Sequence, residues 1–334
     1  MGKKVSVAIL NWNGRKFLSE CIDSILAQTH LDVELIVVDN ASSDDSVDFI
    51  KAMYEGALRL VENETNVGFS RGMNQAIAIA SAEYIMPLNF DVIMEPDFVA
   101  QMVAAAEADP KIGSVSGKLL RFNETGKTRV IDSTGHVIHK NRYVVNRGED
   151  QLDAGQFDAP DEIFGTCGAA SLYRREMIED IIWQDEFYDE SFFIMLEDVD
   201  VDWRAQLRGW RCVYSPAAVA YHYRGATDSG KSRLIQRHYY KNRYLTIWKN
   251  DFWVSWLKHL PQILLMDLYL NIDILFTSPI ALVQAWGDLI RLMPLTIRKR
   301  KAIKAGRVTT RRDIERWFQP YSWMNDVRRK LRLN

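Results

Sequence analysis

Cysteine is scarce in this chain: three in 334 residues, Cys21, Cys167 and Cys212, an odd number without the spacing of a metal-ligand set. They read as core thiols in a reducing compartment, which sets aside a disulfide framework. Net charge is nearly absent at -2, which argues against wholesale nucleic-acid binding. Long uncharged runs are missing too. The longest, Ile274 to Gly287, is 14 residues and falls short of the ~18 that span a bilayer. Near the N-terminus the apolar run Val5 to Leu10 is shorter than a signal peptide requires, while Gly2 to Ser6 fits a short myristoylation pattern. The first turn, Asn11-Trp12-Asn13-Gly14, lacks Gly-x-Gly-x-x-Gly, and no Walker-type Gly-Lys-Ser/Thr loop is expected. A dehydrogenase-type dinucleotide site is therefore excluded there, and the chemistry falls to carboxylates.

What is present is alternation. The continuous β-branched run Val5–Leu10 and the buried-strand pattern of Val33–Val38, then the stretches Leu58–Val61, the run ending at Leu88 and Ile112–Val115, read as strands. Between them, apolar residues recur at helical spacing: Leu18, Cys21, Ile22 and Ile25; Val47, Ile50 and Tyr54; Met73, Ile77 and Ala80; Phe98, Met102, Val103 and Ala106. Ser42 and Asp45 have capping-box spacing ahead of the second helix. Strands alternating with helices predict right-handed crossovers and a mostly parallel sheet flanked by helices, an α/β class.

In such a sheet, ligands bind at the carboxyl ends of the strands. Four loops converge there: Asn11–Gly14, Asp39–Asp45, Asn66–Arg71 and Asn89–Asp91. Each has a plain structural reading. Asp91 and Asn66-x-Gly68 could be turn residues, Asp39 could start a helix, and Arg71 could be surface. Together on one edge they favour a ligand site. A carboxylate at Asp91 beside the amide of Asn89 suits a divalent cation carrying a diphosphate.

The blocks Val-Ala-Ile-Leu-Asn-Trp-Asn-Gly, Glu-Leu-Ile-Val-Val-Asp-Asn-Ala-Ser-Ser-Asp, Asn-Val-Gly-Phe-Ser-Arg-Gly-Met-Asn and Leu-Asn-Phe-Asp resemble, in order and spacing, glycosyltransferase family 2. The Val-Asp-Asn-Ala-Ser form is most similar to its rhamnosyltransferase-like branch. The resemblance covers roughly residues 4–250. It implies a GT-A fold with a Rossmann-like sheet, a nucleotide-binding half over 1–120 and an acceptor-binding half over 121–250. It also implies donor contacts from Leu10, Asn11, Trp12, Asp39, Asn66, Arg71 and Asn89, with Asp39 reading a pyrimidine, Arg71 near the diphosphate and Asp91 holding Mg2+ or Mn2+. A carboxylate accepts the imide N–H of uracil or thymine, and an Arg fork suits phosphate oxygens. Asn89 stands where the family's usual motif has its first Asp, which removes one negative charge and leaves the metal requirement open.

From Arg121 to Asp161 the pattern is aperiodic and polar, and we assign it to the acceptor side of the cleft. The small residues Gly165 to Ala170 follow. By the resemblance, Gly168 and Ala169, with Trp203 beyond them, belong to the acceptor pocket. Val199, Trp203 and Leu207 mark an inward helical face, so Glu197 and Asp198 fall in a first turn, where the helix dipole alone favours acids. Adjacent helical residues diverge by roughly 100°, so at most one points squarely into a cleft. The resemblance makes Asp198 the general base, with Glu197 the fallback. Asp200 and Asp202 read as solvent-facing charge. His222, a lone His after a strand, is by resemblance a second metal or phosphate contact, and Arg243 could reach the diphosphate.

From Phe252 the chain turns apolar and aromatic, and nine Lys or Arg with no acid lie between Arg291 and Arg312, followed by Arg328-Arg329-Lys330. Residues 251–334 are thus expected to form a basic, amphipathic helical appendage on an anionic membrane surface or a partner. A packed hairpin with a solvated basic face is the alternative.

The expectation is an inverting, metal-assisted glycosyltransferase. It would move rhamnose from a dTDP donor, or another sugar from a dTDP or UDP type donor, to a saccharide or lipid-linked glycan acceptor in bacterial surface polysaccharide synthesis. Its place would be cytoplasmic, peripheral at the inner face of the membrane. A sugar-phosphate nucleotidyltransferase and a catalytically silent scaffold are the alternatives.

Overall fold

The structure, a computed structural model, describes residues 3–224 and 232–323. The N-terminal half runs β1 (Val5–Asn11), α1 (Arg15–Leu26), β2 (Val33–Asp39), α2 (Ser46–Met53), β3 (Arg59–Glu62), α3 (Phe69–Ile79), β4 (Tyr84–Asn89), β5 (Val92–Met94) and α4 (Phe98–Glu107). There follow β6 (Ile112–Asn123), β7 (Gly126–Ser133), β8 (His136–Ile138), β9 (Val144–Asn146), β10 (Asp161–Ile163), β11 (Ser171–Arg174), α5 (Arg175–Ile181), α6 (Glu197–Leu207) and β12 (Arg211–His222). The C-terminal region is helical: α7 (Arg233–Asn250), α8 (Trp253–Lys258), α9 (Leu260–Thr277), α10 (Pro279–Gly306) and α11 (Arg311–Glu315).

The main sheet has the order β3-β2-β1-β4-β11-β6-β12-β10. β3, β2, β1 and β4 are parallel, as the alternation predicts, and β12 runs parallel to β6. β11 enters antiparallel between β4 and β6. Strand residues alternate between faces, and both faces are covered. Val5, Val7 and Ile9 pack with the apolar faces of α1 and α4, while Ala8, Ile36 and Val38 pack with α3, α5 and α6. All three cysteines are buried and free.

Two local expectations are corrected. The stretch 121–161 is not an irregular loop but holds the end of β6, with β7, β8, β9 and most of its connection to β10. Its strands differ in burial, with β7 buried only over its last three residues and β9 nowhere fully buried, so no single period emerges. Ser42 does not cap α2. Its backbone N–H and hydroxyl both bond the Asp39 carboxylate, at 2.9 and 2.6 Å, and Asp45 makes no capping bond.

α7 packs along α10, with Tyr240, Tyr244 and Leu245 against Ala281, Ala285 and Leu289. Three of the nine basic residues are structural: Lys299 pairs with Glu186 and Asp189, and Arg300 and Arg307 donate to backbone carbonyls at 248–251. α9 and α10 are each long and apolar enough to cross a membrane, by length and composition, although their charge-free run is short. The outer face of α9 exposes Leu265, Leu268, Ile272, Leu275 and Phe276; that of α10 exposes Ile280, Val283, Trp286, Ile290 and Ile297, then the cations Lys301 and Lys304. Gly2 and the cluster Arg328-Arg329-Lys330 lie outside the described residues.

Candidate active site

The site is assembled at the carboxyl edge of β1, β2 and β4. In the β1–β2 ladder Asn11 pairs with Asp39, and the Asn11 amide donates to the Asp39 carboxylate at 2.7 Å. With the two Ser42 bonds, Asp39 is buried and held from three directions, a fixed acceptor. Leu10 packs against Gly72, where an added Cβ would meet the leucine methyl at 2.4 Å, so β1 and α3 lie close. Trp12 is exposed beside this edge. Asn66 is committed to its own loop: its side-chain oxygen accepts from Asn40 and from the Gly68 backbone N–H, both at 2.9 Å. Arg71, in the first turn of α3, is 60 % exposed and only loosely paired with Glu190 at 3.9 Å, so its guanidinium is free to turn toward a ligand.

Asp91 lies just beyond β4 and is almost buried. The β5–β12 ladder pairs Val92 with His222 and brings the imidazole to it, Nε2 standing 3.4 Å from Asp91 Oδ1. On its other side His222 Nδ1 meets Asp132 Oδ2 at 2.8 Å. Burial alone would lower the His222 pKa, but hydrogen bonds to Asp132 and Asp91 push it up to about 10. Asp132, fully buried, is held below the usual carboxylate range despite burial by His222, Arg224 and Arg121.

This arrangement fits a divalent cation. A cation would take the place of the Nε2 proton that faces Asp91: with Nδ1–H still donated to Asp132, the freed Nε2 lone pair would lie beside a carboxylate oxygen, the carboxylate–imidazole support that orients metal-binding histidines. Among the described residues no cluster of three or more His, Cys, Asp or Glu could hold a metal alone. Two protein donors leave positions for phosphate oxygens, as at many nucleotide-bound Mg2+ sites.

Asp198 is linked to this edge by one short segment. The Asn89 N–H donates to the Ala169 carbonyl at 2.9 Å, and the next N–H but one upstream, that of Gly168, donates to Asp198 Oδ2 at 2.9 Å. A Cβ on Gly168 would sit 2.8 Å from that oxygen, so the glycine makes the approach possible. Of the acidic pair, Asp198 is half-buried and Glu197 buried. Burial and the neighbouring Asp198 charge push Glu197 up to about 8, and one of its oxygens has no hydrogen-bond partner.

The turn leading to α6 is strained. Phe193, Met195 and Leu196 take positive φ of 67, 77 and 65°, a region costly for side chains with a Cβ. Asn242, buried on α7, holds it by donating to the carbonyls of Phe192, Ile194 and Met195.

Several expectations fail here. Arg243 does not face the site: it is buried, paired with Asp267 at 2.9 Å and bonded to the carbonyls of Asn141 and Arg142. Its neighbour Asn242 is the residue that supports the site. Trp203 packs between Phe164 and Phe318 in an apolar cluster with Val199 and Leu207 and offers nothing to an acceptor. Asp200 and Asp202 are not solvent-facing. Asp200 is enclosed by Arg204, Lys249 and Asn250, and Asp202 by His136 and the Thr166 N–H. Sequence reading missed Asp132 and His136, which lie in the aperiodic stretch. The expectation of no Gly-Lys-Ser/Thr loop is wrong as well: residues 225–232, Gly-Ala-Thr-Asp-Ser-Gly-Lys-Ser, have that spacing. Of these, 225–231 lie outside the described residues.

The parallel sheet with acids along its carboxyl edge and an inserted antiparallel strand is a GT-A architecture. Three solved structures share it. GalNAc-T7 with UDP, GalNAc and Mn2+ has TM-score 0.57 and 17 % identity, covering 73 % of this chain and 47 % of that one. Staphylococcus aureus TarS 1-349 has TM-score 0.55 and 17 % identity, covering 91 % and 87 %. The mannosyltransferase PcManGT of Pyrobaculum calidifontis, with GDP-Man and Mn2+, has TM-score 0.52 and 16 % identity, covering 92 % and 86 %. Residues 6–182 match the family described as Glycosyl transferase family 2, and the chain belongs to that family. The poly-beta-1,6-N-acetyl-D-glucosamine synthase of Staphylococcus aureus (strain COL) is 25 % identical over 214 residues, 63 % of this chain and 47 % of that protein. Glycosyltransferase GlyG of Streptococcus pneumoniae serotype 4 is 32 % identical over 119 residues, 34 % of this chain and 40 % of its own. The chain thus spans about half the length, or less, of these curated relatives.

Proposed function

We propose that this chain is an inverting glycosyltransferase that moves a sugar from a pyrimidine nucleoside diphosphate to a hydroxyl acceptor. The observation that carries the reading is the Gly168–Ala169 segment, which ties the strand end bearing Asn89 and Asp91 to the carboxylate of Asp198. A sugar lying over that segment would have its diphosphate toward Asp91 and its open face toward Asp198. Asp39 accepts the imide N–H of the base, and Arg71 neutralises phosphate charge. Asp198 takes the proton of the acceptor hydroxyl as its oxygen attacks the anomeric carbon, opposite the departing diphosphate, so a single displacement inverts configuration. A divalent cation held by Asp91 and His222 would supply positive charge where the leaving group accumulates negative charge.

The resemblance of the Val-Asp-Asn-Ala-Ser block makes dTDP-rhamnose the first donor to try, with a saccharide or lipid-linked glycan of a bacterial surface polysaccharide as acceptor. A screen of nucleotide sugars by thermal stabilisation, with and without Mn2+, tests this, since a ligand bound only by the native state raises Tm. Thymidine and uridine diphosphate sugars should stabilise and adenosine nucleotides should not. Equal shifts from all would remove the role given to Asp39.

A cytoplasmic location at the inner face of the membrane goes with this reading. The apolar outer faces of α9 and α10, ending in exposed cations, suit an anionic lipid surface that already carries a lipid-linked acceptor. Flotation with vesicles containing phosphatidylglycerol should fall as salt rises. Absence of flotation at low salt, with a dimer in solution instead, would assign those faces to a second copy.

A further inference from the structure

We infer that His136, clamped by Asp202, is a positioning residue for Asp198: an imidazole wedged between two carboxylates that orients the second one and, when protonated, sets a positive charge beside it. This rests on the reading of Asp198 as the base.

The geometry is specific. His136 opens β8 and is buried, with Nδ1 3.0 Å from Asp202 Oδ2 and Nε2 3.6 Å from Asp198 Oδ2. Asp202 is itself fixed: its other oxygen accepts from the Thr166 N–H at 3.1 Å, and a Cβ on Gly165 would fall 1.9 Å from Oδ2. The His136 backbone N–H closes the array by donating to the Gly165 carbonyl at 2.8 Å. One short segment, 165–168, thus holds both acids through backbone N–H groups while the imidazole joins them from the far side. Nε2 stands at ion-pair rather than hydrogen-bond distance from Asp198, and among the described residues no hydrogen bond takes it elsewhere.

The titratable groups facing this array are Glu197 on the same helix, Cys167 beside Gly168, Tyr173 on β11, Tyr188 ahead of α6 and Cys212 on β12. Burial keeps the thiols, the phenols and, below about pH 8, Glu197 neutral. Burial would also lower His136, but the charges of Asp198 and Asp202 raise it above its ordinary value. A protonated His136 thus sets one positive charge 3.6 Å from Asp198 Oδ2. An opposite charge at this range moves a carboxylate by about one pH unit or more.

The test compares His136→Gln and Asp202→Asn with wild type and with Asp198→Asn, over pH 4.5–9, measuring kcat/KM by release of nucleoside diphosphate and donor Kd separately. The inference predicts donor Kd unchanged within about twofold and kcat down about tenfold at pH 6. It also predicts the acid limb of kcat/KM shifted upward by about one unit, so that activity recovers toward wild type at pH 8. If both variants lose activity by the same factor at every pH, His136 is packing alone and the inference is overturned. If Asp198→Asn keeps wild-type turnover, it is the reading of the base that fails, whatever the His136 variant does.

Discussion

Gly168→Ala is the smallest change that should separate binding from chemistry. The new Cβ would lie 2.8 Å from Asp198 Oδ2 and 3.3 Å from its Cβ and Cγ, whereas ordinary contact starts at 3.4 Å. The carboxylate must give by about 0.6 Å or turn away, and the 2.9 Å bond from the residue-168 N–H is stretched or lost. That bond is charge-assisted and contributes about 1.5–3 kcal/mol to holding the carboxylate in place. Misplacement of a reacting group by ~1 Å costs about 10²-fold in rate. No positive φ stands at this position, so alanine adds no backbone strain. The expected result is kcat down about 10²-fold, donor Kd by calorimetry unchanged within about twofold, and Tm within a few degrees. Gly287→Ala, where the added Cβ meets nothing within 4 Å, is the control and should keep full activity. Wild-type kcat in folded Gly168→Ala protein would refute the claim that this segment aims the base.

Asp91→Asn and His222→Asn should each weaken Mn2+-dependent donor binding at least tenfold, read as loss of the difference between Tm with Mn2+ and Tm with EDTA. Undiminished Mn2+ dependence in both would move the cation elsewhere. Glu197→Gln tests burial of an acid. Glu197 titrates near 8 in the folded state against an ordinary 4.5, so below pH 4.5 it is protonated folded or unfolded and exacts nothing. As pH rises from 4.5 toward 8, the unfolded chain gains by ionising and stability falls. The variant should therefore exceed wild type in Tm at pH 8 and match it near pH 4.5; a gap independent of pH would contradict this. Arg243→Ala should lower unfolding free energy by about 1–3 kcal/mol, since it unpairs the half-buried Asp267 and leaves two carbonyls without a donor, while leaving donor Kd unchanged. Denaturant titration and calorimetry check the two halves.

Much of the nucleotide edge was legible because each strand there is a continuous apolar run ending in a short polar block, and parallel topology forces those ends together. The inward face of α6 was equally plain from Val199, Trp203 and Leu207. What sequence could not give was who stands opposite. Asp200 and Asp202 look solvated on a helix considered alone and are buried only because α7 and β8 cover that side. Asp132 reaches His222 through the pairing of β7 with β6 and of β6 with β12, a register set across about 90 residues. In Tyr239–Arg243 the right segment was singled out for the wrong side chain: a guanidinium suggests phosphate, but this one is spent on Asp267, and the amide beside it clamps the turn before α6.

The proposed mechanism requires that Asp91 and Asp198 act on opposite sides of one sugar. It is tested most directly by measuring, on Asp198→Asn with the donor selected by the thermal screen, both calorimetric donor Kd in Mn2+ and release of nucleoside diphosphate with acceptor. The account predicts wild-type affinity with turnover reduced at least 10³-fold. Turnover equal to wild type would contradict it.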